Sequence, residues 1–324
     1  MTVTGWPPGW SIGPDGIPAP PGPDGRPAYP PLAQQRAPLN GDAGPPPPEP
    51  PEHDDEPSPR PKLVDRLLTV DGLATLPPVR PLVDGLLYRR TLAQLSGPPG
   101  SYKSFLALGM GICQALGENF EDHKVPQSGP VIYVAPEGAN GLRARILAYC
   151  ELSGFDPARL HDRFYVLPVP VQLGHPVDIS QALDMVTEKD AALLVLDTRA
   201  RCTVGLDENS ATEQGRAIDA AERLIDATGA TVCAVHHSGR TGTAGRGSTA
   251  WDGAVWSDLR VTSDGLNCTL ECHKHKDVPD GCEHGFRLVP HTVSEALMPG
   301  CAQAQRETLV IITGDGAVRI DPLT

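Results

Sequence analysis

"LAQLSGPPGSYKSFLALGMG", residues 92–111, is an apolar strand-like run, a turn rich in glycine and proline, and an apolar helix-like run in succession. The turn keeps the Walker A spacing G-x-x-x-x-G-K-S/T, with Gly97, Lys103 and Ser104 in register. Tyr102 stands where that pattern has its second glycine. A helix that starts on such a turn offers free N–H groups and a partial positive charge, which suit phosphate oxygens. Lys103 is expected to reach the β and γ phosphates of ATP and Ser104 to hold Mg²⁺. Gly97, Pro98, Pro99, Gly100, Ser101, Tyr102 and Phe105 complete the expected nucleotide-binding set. Tyr102 would have to take a left-handed backbone at a cost of about 1–2 kcal/mol, tolerable where phosphate contacts over-determine the loop. On this stretch alone, a plain strand–turn–helix junction stays open as the alternative.

The rest of the chain supplies the partners that such a loop needs. "AALLVLD" ends an apolar strand in Asp197, the Walker B position that completes a Mg²⁺ shell. "VIYVAPEG" ends another in Glu137, a carboxylate placed to activate water. "TVCAVHH" ends a third in His236 and His237. Singly, Asp197 also fits a turn cap, Glu137 a solvated surface group, and either histidine a satisfied strand end. Jointly, the strand ends put all of these groups at the carboxyl edge of one parallel sheet, where α/β sites form.

Around these motifs, apolar strand runs alternate with helix-like stretches at 103–117, 138–153, 178–188 and 209–228, the texture of a parallel sheet covered on both faces. Beyond residue 255 the pattern becomes strands without helices ("SDLRVTSD", "LNCTLECHK", "FRLVP", "TLVIITGDG", "AVRIDP"), read as antiparallel hairpins extending one side of the sheet. About half of the 36 prolines fall in the first 60 residues, a stretch too poor in apolar side chains to offset the entropy of ordering. The expected organisation is therefore a Pro-rich disordered tail over 1–62, a solvated segment or a docking arm for partners, and one α/β domain over 63–324.

Several classes fall away. The N-terminus lacks a basic start followed by an apolar core, so no secretory signal is expected. No run of 18 apolar residues is present, so no membrane helix is expected. Eight cysteines, several inside apolar runs, read as reduced thiols of a cytoplasmic protein. A net charge of −13 argues against a broad nucleic-acid surface, so any nucleic acid is met by local loops. "CTLECHKHKDVPDGCEHG" invites a zinc site, yet Leu266, Cys268, Leu270 and Cys272 alternate along a strand and read as one core face. A C-x₃-C pair on a strand also lacks the knuckle turn of zinc sites.

The ordered set "GPPGSYKS", "VIYVAPEGANGLRARI", "LLVLDTRAR", "DENSATEQGRAIDAAERLIDATGATVCAVHHSGR" and "RGSTAWDGA" resembles the RepA-like branch of the RecA/DnaB superfamily, over roughly residues 65–290. These are P-loop ATPases of plasmids, phages and prophages, several of them hexameric replicative helicases. The resemblance implies a RecA-like P-loop core, with Glu137 as catalytic base, Asp197 as the Walker B ligand and His237 as γ-phosphate sensor. It also implies a cation inserted from a neighbouring subunit, for which Lys276, with Lys274, in "HKHKDVPDG" and Arg246 are the candidates; a solvated hairpin tip is the alternative for the two lysines. Loops facing a central channel would carry Arg199, Arg201 and Arg216, then Arg240 and Arg246, to single-stranded DNA. Two departures stand out: Tyr102 in the loop, and Asp252 where the family often has a small or basic residue. The implied activity is an ATP-driven motor on single-stranded DNA, working as a homo-oligomer, in the form of a hexamer, with ATP and Mg²⁺. A slow nucleotide-dependent switch or scaffold is the alternative.

Overall fold

The computed structural model describes residues 11–12, 18–19, 63–237 and 249–314. The expected tail over 1–62 falls almost wholly outside the described residues, as do the strand expected at "AVRIDP" and the loop carrying Arg240 and Arg246. The chain divides into two units, Met1–Leu73 and Ala74–Thr324. In the first, Ser11–Ile12 pairs antiparallel with Pro18–Ala19, and Leu63–Arg66 forms a 3₁₀ turn. The second opens with a hairpin, Pro81–Val83 with Leu87–Tyr88.

A nine-stranded sheet organises the second unit. Its strands are β1 (Leu92–Gly97), β2 (Val131–Val134), β3 (Phe164–Leu167), β4 (Leu193–Asp197), β5 (Thr231–His237), β6 (Ser257–Asp264), β7 (Asn267–His275), β8 (Glu283–Thr292) and β9 (Glu307–Thr313). In space they run β9-β8-β7-β6-β1-β5-β4-β2-β3. Neighbours from β6 across to β3 are parallel, whereas β6, β7, β8 and β9 meander antiparallel. The α/β class, with a mainly parallel sheet and an antiparallel C-terminal extension, is thus the one the sequence texture implied.

Helices α1 (Lys103–Leu116), α2 (Ala139–Ser153), α3 (Pro176–Glu188), α4 (Arg199–Cys202), α5 (Ala211–Thr228), α6 (Ala250–Ala254) and α7 (Gln303–Arg306) fill the connections. Strand residues alternate strictly between two cores, as a period of two requires. Ala93, Leu95, Val131, Tyr133, Leu193, Val195, Cys233 and Val235 pack with the apolar residues of α1 and α2. Leu92, Ile132, Val134, Leu194, Leu196, Val232 and Ala234 pack with those of α3, α5 and α6. Each such side chain, taken fully out of water, contributes about 1.5–3 kcal/mol when it is a Val, Leu or Ile. Helix α1 lies close because Gly109 has no side chain: a Cβ there would sit 2.7 Å from the Phe120 ring.

Candidate functional site

Parallel register fixes the site. Gly97 at the end of β1 pairs with His237 at the end of β5, and Asp197 at the end of β4 pairs with Val235. Glu137 follows β2 by a short turn, and Lys103 opens α1. The groups expected at one sheet edge are therefore brought to one edge. The turn is compact: the Ser101 amide donates to the Pro98 carbonyl at 3.2 Å, and Ser101 is buried. A Cβ at Gly97 would run into the Val261 carbonyl oxygen and lie 2.8 Å from Ser101 Oγ. Only glycine lets β6 and the loop approach this closely.

Tyr102 takes the left-handed backbone that its position demands, with φ 66° and ψ 18°. Its hydroxyl donates to the Gly265 carbonyl in the β6–β7 turn at 2.8 Å, and its ring meets Phe105 edge-on. Lys103 is only 3% exposed. Its Nζ donates to the Gly97 carbonyl at 2.9 Å, the Pro98 carbonyl at 2.7 Å and Ser101 Oγ at 3.2 Å. Burial pushes the ammonium down to about 8, against the opposing pull of the Asp197 charge. A buried ammonium held by neutral oxygens is a group that an anion would stabilise.

Asp197, 9% exposed, accepts a 2.6 Å hydrogen bond on Oδ2 from the Tyr133 hydroxyl. Tyr133 is fully buried on β2, and burial, then the Asp197 charge, holds its phenol well above the usual range. The bond fixes the carboxylate and leaves Oδ1 for another partner. Ser104, in the first turn of α1, supplies a hydroxyl, and the first-turn amides lack intrahelical acceptors. A buried cation, a tethered carboxylate, a hydroxyl and a helix start together fit a triphosphate with Mg²⁺.

Glu137 is exposed, and its Oε1 meets Arg201 Nε at 3.1 Å. His237 has a lowered pKa, first through burial and then through the Lys103 charge, with Asp197 and Glu137 acting the other way. The imidazole thus lies within electrostatic reach of the whole constellation. His236 points elsewhere: it is buried, with Nε2 3.9 Å from Glu208 Oε1.

The expected DNA-facing set divides. Arg201 and Arg216 are exposed, Arg216 on helix α5 rather than on a loop. Arg199 is a correction: it is 4% exposed, donates to Gln94 Oε1 at 3.0 Å and lies 4.7 Å over the Trp251 ring. Its position after the Walker B strand turns it back under the sheet, where it braces the core rather than standing on an exposed loop. Asp252 belongs to the same network, accepting from Gln94 Nε2 at 2.8 Å, while Asp258 accepts from that nitrogen at 3.0 Å and from Arg260. The unexpected aspartate is therefore a structural acceptor. Lys274 and Lys276 donate to carbonyls of α6, Asp252 and Gly253 for the first and Ala254 for the second. They lie beside the start of β6, which is level with the start of β1, far along the strands from their own phosphate loop.

On β7, Cys268, Leu270 and Cys272 are buried as expected, while Leu266 is exposed in the turn. Among the described residues no group of three or more His, Cys, Asp or Glu side chains is placed to hold a metal, and no helix is long and apolar enough to cross a membrane. Sequence reasoning missed Tyr133 and Gln94. Each lies inside a strand that reads as core, and only a polar atom in such a run signals a need for a buried partner.

Residues 56–243 match the model of an AAA domain family, AAA_25. No curated protein matches the chain. Among solved structures, the crystal structure of the RadB recombinase is similar over 70% of this chain and 92% of that one, at 18% identity and a TM-score of 0.47. Because the matched residues are more than half of the sequence, the chain belongs to this AAA domain family.

Proposed function

We propose that the chain is an ATP-hydrolysing motor of the RepA-like helicase type, acting on single-stranded DNA as a cytoplasmic homo-hexamer, with the Pro-rich tail recruiting replication partners. The observation that carries the reading is the convergence of Lys103, Asp197, Glu137 and His237 on one sheet edge. Lys103 exchanges its loop oxygens for the β and γ phosphates, and the bound anion restores its full charge. Ser104 and Asp197 would hold Mg²⁺, whose charge would offset that of the phosphates. Glu137 accepts a proton from water as the water oxygen bonds to the γ phosphorus and the bond to the β–γ bridging oxygen breaks. His237, whose pKa is lowered by burial and by the Lys103 charge, donates to a γ-phosphate oxygen and reports its loss. Lys276 and Arg246 act from a neighbouring subunit; the distance of Lys276 from its own loop supports a role in trans. Arg201 and Arg240 meet the DNA backbone, and the Arg201–Glu137 pair ties that contact to the catalytic base.

The test is ATP turnover with and without single-stranded DNA, with Lys103→Ala as the blank. A several-fold rise with DNA that vanishes in the variant supports the motor. One observation favours a second reading, a slow nucleotide-dependent switch: Lys103 is held by carbonyls of its own loop and Tyr102 by the β6–β7 turn, restraints that would slow nucleotide exchange. Nucleotide binding with slow turnover indifferent to DNA would establish the switch instead.

A further inference from the structure

A tyrosine in the left-handed position of a phosphate loop costs backbone energy that glycine would not, so its side chain must return something. What it touches is specific. The Tyr102 hydroxyl reaches across to the Gly265 carbonyl, 163 residues away in sequence, at 2.8 Å. Gly265 is the turn of the β6–β7 hairpin. The same hairpin crowds the loop from beneath, where the Val261 carbonyl leaves no room for a Cβ at Gly97, and Ser96 Oγ donates to the Leu259 carbonyl at 3.4 Å. At its far end β7 carries Lys274, which donates to carbonyls of α6.

We infer that Tyr102 is a positioning residue that makes the β6–β7 hairpin part of the phosphate site. Tyr102 is the residue next to Lys103, so phosphates that bind the lysine would further restrain the tyrosine and, through its hydroxyl, the hairpin turn. A glycine at this position would bind phosphate with the hairpin left free. The hairpin thereby carries the state of the nucleotide away from the loop towards α6. This inference rests on the nucleotide-binding reading above but not on hydrolysis or on DNA.

Hydrogen exchange of peptides spanning residues 260–270 tests it, measured with and without a non-hydrolysable ATP analogue plus Mg²⁺, alongside equilibrium affinity for that analogue. In the wild-type protein the analogue slows exchange at the turn at least threefold. Tyr102→Phe keeps the ring and binds the analogue within about fivefold of wild type, yet loses that protection. Tyr102→Gly binds as tightly or more tightly and also loses it. Equal protection in Tyr102→Phe and wild type overturns the inference, as does an unprotected turn in wild-type protein that binds the analogue. Absence of analogue binding by the wild type overturns the nucleotide reading as well, so the two failures are told apart by the affinity measurement.

Discussion

Lys103 gives the sharpest physical test of the phosphate site. In the free protein its ammonium is buried and held by two carbonyls and a hydroxyl, and burial lowers its pKa to about 8 from 10.5. Bound triphosphate favours the charged form, so the bound pKa lies above the free one. Protons are therefore taken up on binding wherever the pH lies between the two. With a free pKa of about 8, roughly nine-tenths of the lysines are charged at pH 7 and roughly one-tenth at pH 9. Nucleotide binding should accordingly take up about 0.1 proton at pH 7 and about 0.9 at pH 9, and affinity should fall about tenfold across that range. The triphosphate is itself fully ionised at pH 9, so it contributes no proton of its own. Calorimetric titrations at pH 9 in buffers of different ionisation heat read the uptake directly. Lys103→Arg, whose guanidinium stays charged, should abolish the uptake and flatten the affinity profile. An uptake below about 0.3 proton, or one equal in the arginine variant, would refute the argument that burial holds this lysine near neutrality.

Four further outcomes follow from the geometry. Tyr133→Phe removes the buried hydroxyl that fixes Asp197 at 2.6 Å; the Mg²⁺ concentration supporting nucleotide binding should rise about tenfold, as for a lost bond to a charged group, read by Mg²⁺ titration of nucleotide fluorescence. Gly97→Ala drives a Cβ into the Val261 carbonyl, and overpacking of about 1–3 kcal/mol should lower the melting temperature by roughly 3–10 °C. Arg199→Ala removes the buried donor to Gln94 Oε1 and the cation over the Trp251 ring; stability should drop by about 1–3 kcal/mol in denaturant melts, with DNA affinity unchanged. Arg201→Ala releases Glu137 from an exposed pair worth about 1 kcal/mol or less; basal turnover should change by no more than about fivefold, while stimulation by single-stranded DNA weakens in a steady-state assay.

The sequence shows most clearly what one strand or one turn determines. The phosphate loop, the apolar runs ending in Glu137, Asp197 and His237, and the change to antiparallel hairpins after residue 255 each depend on local pattern, and each is where the pattern puts it. Even the left-handed backbone of Tyr102 follows from its place in the motif. Arg199 is expected on a channel-facing loop through the resemblance, and its burial depends on Trp251, far along the chain, which lies under it. Tyr133 was missed for another reason. In "VIYV" it counts as one more apolar residue, and nothing local tells that its hydroxyl meets a carboxylate on the next strand but one in sequence. Contacts made across the sheet, through side chains of unlike sequence distance, are the ones that periodicity cannot carry.

The Glu137–Arg201 pair sets a bound on how the two functional readings can differ. Both side chains are at least half exposed, at 60% and 50%, so the pair is screened and holds the base with about 1 kcal/mol at most. A DNA phosphate that competes for Arg201 therefore releases about a fivefold gain in rate and no more. On the motor reading, any larger stimulation is expected from a neighbouring subunit, because among the described residues Lys274 and Lys276 lie at the other end of the strands and bind carbonyls of α6. Strong DNA stimulation would thus require an assembled ring with cations delivered in trans, where such residues raise rates by about 10³–10⁵. On that reading, a single subunit is expected to give a response of about fivefold at most. The size of the DNA effect, read against protein concentration, therefore tests whether the proposed motor works as an assembly.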